Sequence, residues 1–154
     1  MHALMAVDLG LRTGLAAFGR DGQLAWYRSQ HFGSLERLRR CVHGLLESEP
    51  EIERLVIEGG GPIADVWERA AGHRSIHVRR ISAEDWRNDF LDPKGRAGRD
   101  RSKQSADVLA RRVIEWSGAR RPTSLRHDAA EAILIGLWGV LDAGWLRAPP
   151  IDLR

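Results

Sequence analysis

Four acidic residues stand where an apolar segment of the chain meets a turn or the start of a helix. Asp8 and Glu58 end two short apolar runs, whereas Asp128 and Glu131 lead into a long one at 129–141. Clustered carboxylates repel one another unless a cation lies between them. Because a set of oxygen ligands favours hard ions over zinc, the four acids predict a site for Mg²⁺ or Mn²⁺.

The spacing of the last two acids allows two interpretations. Asp128 and Glu131 are three residues apart, so on a helix they share a face that can point back at the strand ends carrying Asp8 and Glu58. The same Asp-x-x-Glu pattern before an apolar run is also typical of a capping box, which needs no metal. Spacing alone leaves metal ligation and helix capping both open.

The elements that must position these acids follow from the hydrophobic periodicity of the first half of the chain. Ser34 is a predicted N-cap, and Gly19-Arg-Asp-Gly22 is a predicted turn between strands. The pattern predicts three antiparallel strands, a helix, a strand, a helix and a strand at 3–8, 14–19, 24–30, 34–50, 55–58, 63–71 and 76–81. The expected fold class is α/β, with a five-stranded mixed sheet flanked by helices and a site at the carboxyl ends of its parallel strands.

The second half of the chain is strongly basic. Residues 94–126 contain ten lysines and arginines against three acids, which predicts a surface that binds a polyanion such as nucleic acid. A solvated basic surface is the alternative. Residues 92–102 show no apolar periodicity and predict a mobile basic loop, followed by helices at 108–116 and 129–141 and a frayed tail at 147–154. The second helix is almost wholly apolar, so we expect it to pack on the sheet.

Composition restricts the class of protein further. With 154 residues, 43% of them hydrophobic and 29% charged, the chain is expected to form one soluble domain spanning 1–154. Cys41 is the only cysteine, so an intramolecular disulfide is excluded. There is no apolar leader and no run of about 20 apolar residues, so we expect a cytoplasmic protein with no membrane partner.

Several of these features occur together in one known family. Asp8-Leu-Gly with Thr13-Gly14, a strand ending in Glu58, Lys103-Gln104, and Asp128-Ala-Ala-Glu131-Ala entering an apolar helix follow one another between residues 4 and about 140. In this order and within one domain, they resemble the RuvC family of Holliday-junction resolvases, which belongs to the RNase H-like superfamily.

The resemblance implies an Mg²⁺- or Mn²⁺-dependent endonuclease of DNA recombination and repair. Asp8, Glu58, Asp128 and Glu131 would bind two metal ions per active site, and Lys103 would act at the scissile phosphate. A homodimer would cut a four-way DNA junction by in-line hydrolysis, leaving 5′-phosphate and 3′-hydroxyl ends. The predicted DNA contacts are Arg12, Arg87, Lys94, Arg96, Arg99, Arg101 and Lys103.

The chain departs from the family pattern at two points. Glu131 stands where the family usually has aspartate, and Gly59-Gly-Gly-Pro62 replaces the aromatic wedge expected after the second acid. Among the aromatic residues, Trp67 is expected in the core, whereas Trp86 and Phe90 are candidates to face DNA. His127 is either a polar flank of a helix or a ligand or proton shuttle.

Three other functions are compatible with parts of this pattern. A related nuclease could act on RNA or on another branched nucleic acid, and a DNA-binding protein of the same fold could use the acids only as caps. The Asp-x-Gly opening also occurs in actin-like kinases, but these need a second lobe for which 154 residues leave no room. Metal-dependent cleavage separates the nucleases from the binding protein.

Overall fold

The computed structural model describes the backbone of residues 2–91 and 99–151 and the side chains of 2–91 and 106–151. The predicted order of strands and helices is confirmed. Its elements are β1 Leu4–Asp8, β2 Arg12–Phe18, β3 Leu24–His31, α1 Leu35–Glu47, β4 Arg54–Glu58, α2 Gly61–His73, β5 His77–Ile81, α3 Ala83–Phe90, α4 Arg99–Ser117 and α5 His127–Asp142. Ser34 is the N-cap of α1, as predicted, and its side chain accepts a hydrogen bond from the Arg37 N–H.

The five strands form one mixed sheet in the order β3-β2-β1-β4-β5. Strands β1, β2 and β3 are antiparallel neighbours, whereas β1–β4 and β4–β5 pair in parallel. The predicted fold class, a meander continued by parallel strands with helices on both faces, is therefore confirmed. The carboxyl ends of β1 and β4 lie side by side in the middle of this sheet.

Alternation along the strands divides the core into two clusters, one on each face of the sheet. Leu4, Ala6 and Val56 belong to the cluster that packs against α3, α4 and α5, which we call the α5 face. Met5 and Val7 belong to the cluster that packs against α1 and α2, which we call the α1–α2 face. Each residue of a strand is therefore assigned to one helix layer by its position in the sequence.

Helix α5 lies directly on the sheet, as its apolar composition predicts. Its residues from Ala129 to Leu137 are all buried, and a Cβ atom at Gly136 would lie 2.1 Å from the Phe18 ring. The absence of a side chain at this position lets the helix approach the sheet closely. Along the described part of the chain, no helix combines the length and the apolar character that crossing a bilayer requires.

Most boundaries differ from the sequence prediction by one or two residues, and the start of α4 and the tail differ by more. Helix α4 begins at Arg99, so residues 99–102 are helical and not part of a loop. Residues 99–105 include no apolar residue, so hydrophobic periodicity does not reveal the first turns of this helix. In the tail, Ile151 packs partly against the α5-face cluster, so fraying does not begin at residue 147. Residues 92–98 and 152–154 lie outside the described residues.

Candidate active site

The register of the sheet aligns the first two predicted acids. Asp8 pairs with Glu58 on one side and with Gly14 on the other, and Gly14 pairs with Ser29. Directly paired residues project to the same face of a sheet, and Asp8 and Glu58 continue the alternation of Leu4, Ala6 and Val56. Both acids therefore project toward α5 from the carboxyl ends of their strands.

Helix α5 brings the third carboxylate to this place. Asp8, Glu58 and Glu131 each offer one oxygen, and the three oxygens lie within 4.8 Å of one another. Glu131 is only 6% exposed, which is exceptional for a glutamate. Three elements distant in sequence thus converge on one small group of acids, which we call the carboxylate cluster.

Gly14 explains how the first turn of α5 can lie so close to the sheet. A Cβ atom at Gly14 would lie 1.9 Å from the carbonyl oxygen of Asp128, which is far inside van der Waals contact. Its neighbour Thr13 is fully buried and donates its hydroxyl to the carbonyl oxygen of Gly10 at 2.6 Å. The hydrogen bond of Thr13 and the missing side chain of Gly14 therefore shape the part of β2 against which the first turn of α5 packs.

The cluster carries an unfavourable concentration of negative charge. Burial first, and then the charges of Glu131 and Glu58, raise the pKa of Asp8 to about 9, and the carboxyl of Glu131 lies within hydrogen-bonding reach. Burial and the charge of Glu131 also raise the pKa of Glu58. Without a cation, the cluster therefore retains a proton at neutral pH.

The residues fit a hard divalent cation. Three carboxylates with oxygens this close, held in a buried position that penalises their charge, form the kind of donor set that Mg²⁺ and Mn²⁺ prefer. A bound cation would replace the retained proton. Among the described residues the cluster contains no thiolate, so the softer metals have no preferred ligand there.

Helix α3 holds two of the three carboxylates through consecutive residues. The indole N–H of Trp86 donates to Glu58 Oε2 at 3.2 Å, and Arg87 Nη2 donates to Glu131 Oε1 at 2.7 Å. The Arg87 guanidinium also lies over the Trp86 ring, 5.1 Å from its centroid. These contacts fix the orientation of carboxylates that come from β4 and α5.

His127 contributes a second contact to the same glutamate. Its Nε2 lies 2.9 Å from Glu131 Oε1, the oxygen that also accepts from Arg87. Because the two residues are four apart on α5, one helical turn brings them together. The structure therefore places His127 beside the cluster, in contact with Glu131.

Asp128 lies close to the cluster but outside it. Its Oδ2 accepts from the Ser29 hydroxyl at 2.9 Å, and its Oδ1 accepts from the N–H of Ala129 at 2.7 Å. Its charge still adds to the raised pKa of Asp8. The N-cap of α5 is Arg126, so Asp128 is already inside the helix. The capping-box interpretation of Asp128 and Glu131 is therefore wrong, since it requires Asp128 to be the N-cap.

The predicted DNA contacts have different surroundings. Arg12 is exposed at the first position of β2, at the end of the sheet where the acids lie, whereas Arg87 bonds to Glu131 within the site. Lys94 and Arg96 lie outside the described residues. Arg99, Arg101 and Lys103 lie on α4, but their side chains are also outside the described residues.

The predictions for the aromatic residues are settled by burial. Trp67 is completely buried, as expected of a core residue. Trp86 and Phe90 are buried as well, so the suggestion that either one faces DNA is wrong. Sequence reasoning missed Ser29 and the role of the Trp86 N–H, because each depends on a register or a helix orientation that no local pattern encodes.

The strand order, with acids at the adjoining ends of β1 and β4, defines an α/β protein of the RNase H-like class. Comparison with solved structures gives the particular fold, which is that of RuvC. RuvC of T. thermophilus in complex with Holliday junction substrate matches with a TM-score of 0.66 and 13% identity, covering 92% of this chain and 94% of that one.

Two further solved structures support this assignment of the fold. A Thermus thermophilus RuvC structure has a TM-score of 0.66 and 14% identity, covering 92% of this chain and 95% of its own. The yeast mitochondrial Holliday junction resolvase has a TM-score of 0.51 and 10% identity, covering 92% and 81%. The sequence matches no family model and no curated protein.

Proposed function

We propose that this protein is a divalent-metal-dependent endonuclease of branched DNA, of the Holliday-junction resolvase type. The observation that carries the proposal is the carboxylate cluster, in which burial and mutual repulsion raise the pKa of Asp8 to about 9. Buried carboxylates that repel one another destabilise the folded state unless a bound cation compensates their charge. Its position on the RuvC fold adds support.

In this proposal, the chain's own residues bind the metal ions and hold the carboxylates in orientation. Asp8, Glu58 and Glu131 would hold Mg²⁺ or Mn²⁺, with Asp128 as the fourth acid of the site and two ions per active site. Metal ions bound there would supply Lewis acidity at the scissile phosphate and activate water for in-line displacement, giving 5′-phosphate and 3′-hydroxyl ends. Trp86 and Arg87 would keep Glu58 and Glu131 oriented, and Lys103 would contact the scissile phosphate.

Branched DNA is the favoured substrate class. The T. thermophilus protein of the same fold was solved with a Holliday junction, and the described side chains here include an exposed arginine, Arg12, at the acid end of the sheet. Cleavage of RNA remains the second candidate, because the backbone chemistry of the two polymers is shared. The Gly59-Gly-Gly-Pro62 segment in place of an aromatic wedge is the feature of this chain that bears most on junction selectivity.

A homodimer is part of the proposal, because two coordinated nicks need two active sites. Helices α2 and α5 are the two candidate surfaces for the dimer interface. The apolar residues of α5 are used in the protein's own core, so α2 is the better candidate. Pro62 and Asp65 are exposed on α2, and Ile63 and Val66 are partly exposed. Light scattering of the free protein and of its junction complex tests this assembly.

The decisive experiment is cleavage of a synthetic four-way DNA junction beside duplex, flap and RNA–DNA hybrid, with Mg²⁺, Mn²⁺ or EDTA. We expect junction cleavage with either metal and none in EDTA. Asp8→Asn, Glu58→Gln, Asp128→Asn and Glu131→Gln should each lower cleavage by about 10³-fold or more, because a neutral amide is a poor ligand for a hard cation. Each variant should still bind the junction in EDTA.

Glu47→Gln is the matched control, because Glu47 is an exposed acid on α1. It should cleave at the wild-type rate. Junction binding without metal-dependent cleavage would make the protein a binding module and overturn the proposal. Cleavage of the RNA–DNA hybrid in preference to the junction would assign it to RNA.

A further inference from the structure

We propose that a basic groove between β3 and residues 120–126 holds the phosphate backbone of the DNA strand that enters the carboxylate cluster. The inference rests on the proposed nuclease function and adds a binding surface to it. This groove lies on the far side of the site from α3. Three of its arginines belong to the basic region 94–126, but none of them is among the seven individual DNA contacts predicted from the sequence.

The groove has fixed walls and a volume of about 560 Å³. One wall is formed by residues 25–29 of β3 and the other by residues 120–126, with Ala129 of α5 between them. The walls are tied together, since the Tyr27 hydroxyl donates to the carbonyl oxygen of Arg120 and the Leu24 N–H donates to Ser117 Oγ at 2.9 Å. The shape of the groove therefore does not depend on its occupant.

The charge lining the groove is of one sign. Four arginines and no acid line it, and the exposed hydroxyls of Thr123 and Ser124 add further hydrogen-bond donors. The arginines are Arg28, Arg120, Arg121 and Arg126. Guanidinium groups bind phosphate through paired hydrogen bonds, so this lining is suited to successive phosphates of a strand.

Three of these arginines have no acidic partner. Arg120 and Arg126 form no ion pair with any described residue, and Arg121 lies 3.9 Å from Glu115 in an exposed position. Arg28 forms no ion pair with a described residue either, but its guanidinium lies over the Trp26 ring, 4.9 Å from the centroid, and Trp26 packs on the α1–α2 face. Elsewhere, Arg87 and Arg111 are paired at 2.7 and 2.9 Å. Exposed cations gathered along one groove without counter-charges form a site that attracts a polyanion.

The groove leads to the carboxylate cluster. Ser29 lines it and donates to Asp128, and Ala129, the next residue of α5, lines it as well. Ser29 is separated from Asp8 by Gly14 in the same row of the sheet. Two strand spacings amount to about 10 Å, or about three nucleotide steps of a stacked strand. One DNA strand could therefore occupy the groove and the cluster together.

A second groove on the opposite side of the molecule has a different character. It lies between α1 and α2, has a volume of about 280 Å³, and includes Asp65 in its lining beside Arg39 and Arg69. Helix α1 also carries the exposed arginines Arg37 and Arg40. Arg37, Arg40 and the exposed Arg147 line neither groove and have no described ion-pair partner, so they provide a control that matches the three groove arginines in charge.

The test is the salt dependence of binding to an uncut four-way DNA junction in EDTA. The groove variant is Arg120→Gln, Arg121→Gln and Arg126→Gln, and the control variant is Arg37→Gln, Arg40→Gln and Arg147→Gln. Each arginine that neutralises a phosphate contributes about 0.9 to the slope of log affinity against log salt, so we expect the groove variant to flatten the slope by up to about 2.7. The control variant should leave the slope near that of the wild type.

Each outcome bears on the proposal separately from the nuclease function. Equal slopes for the two triple variants, with melting temperatures unchanged, would overturn the groove even where the wild type cleaves junctions with Mg²⁺. A flattened slope in a protein that cleaves nothing would retain the groove as a DNA site and reject the nuclease. If the slope of the groove variant differs from that of the wild type only when an RNA–DNA hybrid is bound, the assignment of the groove to DNA is overturned.

Discussion

The two faces of the sheet are built from alternate residues of the same strands, but only the α5 face carries acids at the strand ends. On the α1–α2 face, Met5 and Val7 are followed by no carboxylate and lie among buried apolar side chains. On the α5 face, Leu4 and Ala6 are followed by Asp8. The candidate active site therefore depends on whether each acid occupies an even or an odd position in the alternation of its strand, because a shift of one residue moves a side chain to the other face.

The largest expected effect comes from moving one carboxylate across the sheet. In the double variant Val7→Asp/Asp8→Val, the acid enters the α1–α2 face at a position where Val7 is completely buried among apolar residues. We expect a loss of more than about 3 kcal/mol of unfolding free energy, because an unpaired charge is buried there. Urea unfolding in EDTA measures this loss.

Asp8→Val alone is the control for this exchange. It leaves the α1–α2 face intact and removes one of three mutually repelling acids, so it should fold and lose metal-dependent cleavage. Equal stability of the double variant and this control would contradict the comparison between the faces.

A smaller effect is expected in the pH dependence of the metal-free protein. Since the pKa of Asp8 is raised from 3.8 to about 9, the folded state binds this proton more tightly than the unfolded chain does. The resulting stability is fully present below about pH 4 and is lost as the pH rises toward 9; the raised pKa of Glu58 acts in the same direction. We expect the unfolding free energy in EDTA to fall by about 1 kcal/mol or more between pH 5 and 9.

Asp8→Asn should flatten this pH dependence, and its unfolding free energy should exceed that of the wild type at pH 8 in EDTA. Addition of Mg²⁺ at pH 8 should stabilise the wild type more than the variant. Glu47→Gln should follow the wild-type curve. A wild-type stability that does not change between pH 5 and 9 would show that the acids do not repel one another as their spacing indicates.

The smallest effect tests how α3 supports the α5 face. Trp86→Phe removes the N–H that lowers the pKa of Glu58 and keeps most of the buried ring. The acid limb of the cleavage pH profile should therefore move to higher pH, by up to about one unit for a hydrogen bond worth about 1 kcal/mol.

Trp67→Phe is the matched control, because Trp67 is also fully buried but belongs to the α1–α2 face and its N–H has no described partner. Both variants should lose similar amounts of stability, and only Trp86→Phe should shift the profile. Coinciding profiles would mean that the indole N–H does not orient Glu58 in the active protein.

The sequence predicts the architecture well, because strand alternation and the apolar character of 129–141 are local signals. It also predicts that Asp8 and Glu58 end strands of the sheet, whereas the pairing of these two strands is known from the structure. It cannot decide whether Asp128 and Glu131 cap a helix, since that depends on whether α5 begins at Ala129 or two residues earlier, at His127. It also cannot pair Ser29 with Asp128, because that contact requires the register of β2 with β3 and the close approach at Gly14.

The close packing of α5 on β2, at Gly14 and Asp128, also has a consequence for the kinetics of folding. Helix α5 is the last described helix of the chain, yet it covers the central strands and carries Glu131. Contacts between such distant parts of a chain are slow to form, so we expect α5 to dock late in folding. Until it docks, Asp8 and Glu58 remain hydrated and lack their third partner. Transient undocking of this one helix would therefore dismantle the cation site while the meander stays folded, and amide hydrogen exchange in α5 would report it.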